Sequence, residues 1–237
     1  EMTSSLVGSE MCIRDRWDPA NPKNKYEGTK EQWDHAQSVM AKILDDLDVK
    51  YDIGIDEAAF YGPKLDIQYK NVYGKEDTLV TIQIDMLLAE RFGMYYTDEN
   101  GEKKLPYIIH RTSLGCYERT LAYLIETYAG ALPTWMAPEQ VRFLPVTDRA
   151  VDYCKEQAAK LTAQGYRVTV DTRSEKIGKK IRDAQMEKIP YMLVVGDRDI
   201  EAGTVSPRNR ADGDLGAMTL DAFTAVLKDV VDNKLKK

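Results

Sequence analysis

Apolar and polar positions follow two rhythms along this chain, and the change falls near residue 139. Before it, short runs of period two dominate, as expected of strands with one face on a core. Leu65, Ile67 and Tyr69 alternate with Asp66, Gln68 and Lys70, which predicts a half-exposed strand. Leu79, Ile82 and Ile84 stand against Thr81, Gln83 and Asp85 in a second one. Residues 49–55 alternate like a short strand, and 87–96 read as a turn or short helix and then a strand. Hairpin tips fall at Gly74 and at Asn100-Gly101. Helical spacing occurs twice in this half. Thr29-x-x-Gln32 is a capping-box pattern, and Trp33, Ala36, Val39, Met40, Ile43 and Leu47 continue from it on one face, with His35 off the stripe toward solvent. The apolar run Tyr107–Ile109 ends at His110 and Arg111, passes Gly115 and resumes as a helix through Leu121, Leu124, Ile125 and Tyr128.

After residue 139 strands and helices alternate. Residues 141–146 form an apolar strand, 149–164 an amphipathic helix, 166–170 a strand, 175–188 a helix, 191–195 a strand and 219–235 a last helix. Repeats at this spacing predict a mostly parallel α/β sheet of about 100 residues. Pro133, Trp135, Pro138 and Gln140 mark the linker, so the boundary is drawn between 138 and 139. Residues 1–16 show no period and read as a leader, tag or assembly scar outside the fold. Residues 17–28 read as loop.

Charge sharpens this division. Residues 1–138 carry 15 Lys and Arg against 23 Asp and Glu, a net of −8; residues 139–237 carry 18 against 16, a net of +2. Three widely spaced cysteines, Cys12, Cys116 and Cys154, form no Cys-x-x-Cys pair, which favours a reducing, cytoplasmic setting and argues against a cysteine-only zinc site. No run has the length of a membrane span.

The chemistry gathers where strands end. Arg119 follows Gly115 by one turn, beside Glu118, on a helix patterned for burial. A buried guanidinium needs a partner, either an internal carboxylate or a bound phosphate or carboxylate. Thr81, Gln83 and Asp85 share a sheet face, which serves equally as a solvated face or as a site. Lys64 follows the Tyr61-Gly62-Pro63 turn and is a surface lysine or a site residue. His110 at a strand end suits a hydrogen-bonded core position, since no local spacing supplies further metal ligands. Arg173-Ser174-Glu175-Lys176 and Arg208-Asn209-Arg210 lie at element ends and read as solvated surface or as a binding face.

Gly115-x-x-Glu118-Arg119 at a strand-to-helix turn resembles motif 3 of the class II aminoacyl-tRNA synthetases. AFYGPKLDIQ, TIQID, IHRTSLGCYER, PTWMAPEQV and KIPYMLVVGDRD, in this order, resemble the threonyl-tRNA synthetases among them, over roughly residues 20–237. The resemblance implies part of an α+β, antiparallel-sheet class II catalytic domain over 17–138, followed by an α/β anticodon-binding domain over 139–237. It implies activation of threonine by ATP with Mg²⁺ and transfer to tRNA(Thr), by a homodimer with no membrane or DNA partner. By the same resemblance Tyr61 and Gln83 face threonine, Lys64 lines the threonine and adenylate pocket, Thr81 and Cys116 lie near ATP, and Arg119 binds its γ-phosphate. Ser174, Lys176, Asp199 and Arg208 match the anticodon face. His110 matches one of three ligands of a Zn²⁺ that threonine can occupy with amino and hydroxyl groups and valine cannot. The other two ligands belong to an earlier half of the domain, absent here with motifs 1 and 2, so this piece alone is expected to be inactive. The sequence departs from the family at Thr78-Leu79-Val80, where many members have Gln-Cys-Gly, at Asp199 for Glu and at Pro207 for Val. A synthetase-like tRNA-binding or regulatory protein without catalysis is the alternative.

Overall fold

A computed structural model describes residues 9–14 and 25–234. They divide into two compact units, the first ending at Tyr123 and the second beginning at Leu124.

The first unit holds strand β1 (Ser9–Arg14), helix α1 (Lys30–Asp46), strands β2 (Tyr51–Gly54), β3 (Lys64–Lys70) and β4 (Glu76–Asp85), helix α2 (Leu88–Arg91), the short pair β5 (Tyr96–Thr97) and β6 (Lys103–Lys104), and strand β7 (Ile108–Arg111). Its main sheet runs β2-β1-β3-β4-β7, antiparallel except for β1 on β2. The sequence pattern shows no element in 1–16, yet Ser9–Arg14 pairs with both β2 and β3; the rest of that leader lies outside the described residues.

Helix α1 starts as its sequence dictates: the Gln32 amide donates to the Thr29 hydroxyl, and the Gln32 side chain accepts from the Thr29 amide. Its buried stripe is Trp33, Ala36, Met40 and Leu44. Val39, Ile43 and Leu47, expected inside, are exposed. Two apolar rows lie side by side, roughly 65° apart, on this helix, and periodicity cannot say which one meets the sheet. Strand β3 also differs from its half-exposed reading, since Asp66 and Gln68 on its polar side are buried.

Helix α3 (Tyr117–Thr127) leaves β7 through Gly115, whose φ is +67°. An added Cβ would lie 1.9 Å from the Leu79 carbonyl oxygen, so both the left-handed backbone and the close approach require glycine. Helix α3, patterned for burial, has no buried residue. Periodicity marks an apolar face but does not supply what covers it.

The second unit contains strand β8 (Val141–Pro145), helix α4 (Val151–Ala163), strand β9 (Val168–Val170), helix α5 (Ile177–Met186), strand β10 (Tyr191–Val195), helix α6 (Asp197–Ala202), strands β11 (Thr204–Asn209), β12 (Gly213–Asp214) and β13 (Met218–Thr219), and helix α7 (Leu220–Asp232). Strands β9, β8 and β10 are parallel; β11, β12 and β13 join antiparallel, so the sheet is mixed rather than mostly parallel. Val141, Phe143, Leu193, Val195, Phe223 and Leu227 are fully buried between the sheet and its helices.

The stretch read as linker from Pro133, Trp135, Pro138 and Gln140 lies within this second unit and is fastened into it, together with the residues just before it. Arg167 Nε donates to the Ala137 carbonyl at 2.8 Å and Nη2 to that of Trp135 at 2.9 Å. Arg210 donates to the carbonyls of Lys188 (2.6 Å), Leu132 (2.9 Å) and Ala131 (3.1 Å). Burial lowers the Arg210 pKa from its ordinary value.

Candidate active site

The site is built on one sheet face by register. Lys64 on β3 stands opposite Gln83 on β4, Asp66 opposite Thr81, and Gln68 opposite Thr78; Gln83 in turn faces His110 on β7. A β-bulge between Ile67 and Gln68 keeps the polar residues in line.

Two buried carboxylates hold this face. Asp66, 1% exposed, accepts from Lys64 Nζ at 2.9 Å and from Thr81 Oγ1 at 2.7 Å. Asp85, fully buried, accepts from the amides of Leu87 and Leu88, each at 2.9 Å, and its other oxygen lies 2.8 Å from His110 Nε2. Burial alone would raise the Asp85 carboxyl, but the Leu88 amide, the His110 ring and the Leu87 amide outweigh it and hold it below its ordinary range. The Tyr61 hydroxyl donates to Gln83 Oε1 at 2.6 Å, and its ring meets the His110 ring edge-on at 5.9 Å. Burial and then the Asp85 charge push the Tyr61 phenol upward, against the Gln83 hydrogen bond.

Thr81, Gln83, His110, Cys116 and Arg119 line one cleft of about 280 Å³, with Thr78, Arg111 and Gly115. Lys64 lines an adjoining depression with Asp66, Gln68 and Thr78. The internal Arg119–Glu118 pair is absent. Arg119 is exposed and donates from Nη1 to the Thr78 carbonyl at 2.6 Å, while Glu118, also exposed, accepts from the Cys116 thiol at 2.9 Å, which lowers its carboxyl. The Thr78 contact runs through the backbone, so any residue there can make it, including the Thr that replaces the family's Gln. Asp66 and Asp85 carry the geometry, and sequence reading missed both as anchors. The signal was an acidic residue two positions from Lys64 and another two from Gln83, each on its neighbour's strand face; that cross-strand partners enclose them follows only from the register.

His110 is the one histidine at the cleft, and no group of three or more potential metal ligands occurs among the described residues. His110 itself suits ligation: Nε2–H on a carboxylate leaves Nδ1 as an acceptor in the neutral ring, the usual carboxylate–histidine support of a metal ligand.

In the second unit the four anticodon candidates differ. Ser174 and Lys176 are exposed and make no side-chain hydrogen bond or ion pair to described residues. Asp199 is occupied: it accepts from the Gly196 amide and the Ser206 hydroxyl, both at 2.9 Å, at the start of α6. Arg208 reaches Asp214 at 3.3 Å, and its buried Nε has no hydrogen-bond partner among the described residues.

Two family models match the chain: the tRNA synthetase class II core domain (G, H, P, S and T) over residues 5–128 and the anticodon binding domain over residues 140–230. The chain therefore belongs to the class II tRNA synthetase family. Threonine–tRNA ligases are among its curated relatives. That of Clostridium perfringens strain 13 is 58% identical over 88% of this chain and 32% of its own length. That of Clostridium botulinum strain Eklund 17B is 54% identical over 92% and 34%, and that of Listeria monocytogenes serotype 4a strain HCC23 is 49% identical over 86% and 32%. The chain spans about a third of the length of the curated relatives it matches. Among solved structures, the RNA binding domain of threonyl-tRNA synthetase from Cryptosporidium parvum superposes with a TM-score of 0.81 at 31% identity, covering 93% of this chain and 55% of that one. No helix among the described residues is long and apolar enough to cross a membrane.

Proposed function

We propose that this chain is a carboxy-terminal portion of a threonine–tRNA ligase, and that the complete protein activates threonine with ATP and Mg²⁺ and transfers it to tRNA(Thr) in the cytoplasm as a homodimer. The observation that carries the reading is the convergence of Thr81, Gln83, His110, Cys116 and Arg119 on one cleft, from strands and a helix far apart in sequence. A non-catalytic binding protein has no use for such a cleft, and the relatives' names do not favour that alternative.

In this reading Arg119 draws the γ-phosphate of ATP, its guanidinium steadied by the Thr78 carbonyl. Thr81 lies toward the nucleotide. Gln83, oriented by the Tyr61 hydroxyl, faces the amino acid, and Lys64, held by Asp66, reaches the carboxylate and phosphate that react. His110, fixed by Asp85, supplies one ligand of a Zn²⁺, the rest of whose ligands lie outside these residues; when bound, that ion selects threonine through its hydroxyl. In the second unit Ser174, Lys176, Asp199 and Arg208 form the anticodon face, where side chains hydrogen-bond unstacked bases.

The test is ATP–pyrophosphate exchange by the full-length protein. Arg119→Ala is expected to slow exchange by at least ~100-fold, since it removes one charge-assisted donor to developing charge. Its melting temperature is expected to change little, because the lost contact is a single exposed one. Normal exchange in the folded variant would refute the assignment.

A further inference from the structure

Arg173 lies in the loop that carries Ser174 and Lys176, where a surface arginine invites assignment as a phosphate contact. Its surroundings point elsewhere. Arg173 Nε and Nη2 donate to the two carboxylate oxygens of Asp171 at 2.9 and 2.7 Å, a bidentate pair, and Nη1 donates to Asp183 of α5 at 2.9 Å. The Arg173 amide also donates to Asp171, at 3.1 Å. Its guanidinium is thus divided between two carboxylates, one of them buried.

The loop is fixed from below as well. Lys180 of α5, 4% exposed, donates from Nζ to the Asp171 carbonyl and to the Pro145 carbonyl at the end of β8, both at 3.1 Å. One helix therefore grips the loop twice, through Lys180 on the backbone of Asp171 and through Asp183 on Arg173. Beside the loop Glu139 and Glu187 are both bound to Arg142, so these charges too are already paired within the protein.

We propose that Arg173 is a positioning residue: bridging Asp171 to Asp183, it sets the backbone that presents Ser174 and Lys176 to the anticodon, and it does not contact tRNA. This rests on the anticodon reading above. It adds the device that holds that face in shape before tRNA arrives, so binding does not have to order it.

The two roles make opposite predictions for Asp183→Ala, a change at a partly exposed helix position that tolerates alanine. If Arg173 binds phosphate, removing a competing carboxylate tightens tRNA binding, and Arg173→Ala lowers the salt dependence by about one contact, a slope change of ~0.7 to 0.9. If Arg173 positions the loop, both variants lose about 10-fold or more in discrimination between tRNA(Thr) and an anticodon-swapped tRNA, with the slope unchanged. The experiment is filter binding of the full-length protein and both variants to the two tRNAs across a salt series, with hydrogen exchange of the amides of 172–176. Faster exchange in Asp183→Ala is expected. Unchanged exchange, or tighter tRNA binding by that variant, overturns the proposal. If the unmutated protein fails to discriminate the two tRNAs, the anticodon reading falls, and the exchange experiment still decides the loop. Should Arg173→Ala fail to fold, Asp183→Ala alone decides.

Discussion

Asp85 is the most informative single position in the first unit, because its two oxygens do separable work. One caps the turn into α2 through the amides of Leu87 and Leu88; the other holds His110. Asp85→Ala removes both. Loss of the capping acceptor costs about 1 kcal/mol, and loss of the bond to His110, whose side chain is 42% exposed and can turn to water, about 1 kcal/mol more, so the sum is about 2 kcal/mol. Asp85→Asn keeps an acceptor for the two amides and loses only the charge-assisted bond to His110, at a cost of about 1 kcal/mol. With a urea slope of ~2 kcal/mol per molar, the midpoints of the first unit fall by ~1 M and ~0.5 M respectively. pH supplies a second axis. The folded Asp85 carboxyl titrates below its ordinary value, so its stabilisation is present above the unfolded value of about 4 and is lost as pH falls through the folded value. The advantage of the unmutated chain over Asp85→Asn should shrink from pH 6 to pH 3. Equal midpoints for the Ala and Asn variants, or an advantage that grows on acidification, would refute this division of labour.

Gly115→Ala should displace the turn between β7 and α3, because its Cβ would strike the Leu79 carbonyl oxygen at 1.9 Å and its φ of +67° is strained for alanine. In the full-length protein the expected outcome is a loss of ATP–pyrophosphate exchange comparable to that of Arg119→Ala, and wild-type exchange would show that the turn does not position Arg119. Arg210→Ala removes three donations to carbonyls from a half-buried guanidinium, about 1–3 kcal/mol in the second unit. Limited proteolysis should then cut within residues 129–137, and resistance equal to the unmutated chain would show the clamp to be dispensable.

Much of the fold was legible because its signals are local. The Thr29 capping box, the alternation in β4, the Asn100-Gly101 hairpin and the spacing of the second-unit helices each depend on a few neighbouring residues. What was illegible depends on partners. The apolar row Val39, Ile43 and Leu47 is as periodic as the buried row beside it, and only the sheet decides between them. The antiparallel β11, β12 and β13 disturb the parallel pattern because a strand's direction is set by the connection it follows, not by its own residues.

The same distinction separates the site residues that the sequence could name from those it could not. Tyr61, Lys64, Thr81, Gln83, His110 and Arg119 stand in motifs, and their order carried them. Asp66 and Asp85 stand in the same motifs, but as the polar half of an alternating strand Asp66 reads as solvated and Asp85 equally as solvated or as part of a site. Register reverses this. Opposite Thr81 and two residues from Lys64, Asp66 is enclosed by the groups it binds, and Asp85 is enclosed by a helix start and a histidine. A buried carboxylate is tolerable only where donors satisfy it. Its burial here therefore requires that Lys64, Thr81 and His110 be held in place, and the immobility that the proposed reaction would need follows from the same contacts that make the two aspartates tolerable inside the sheet.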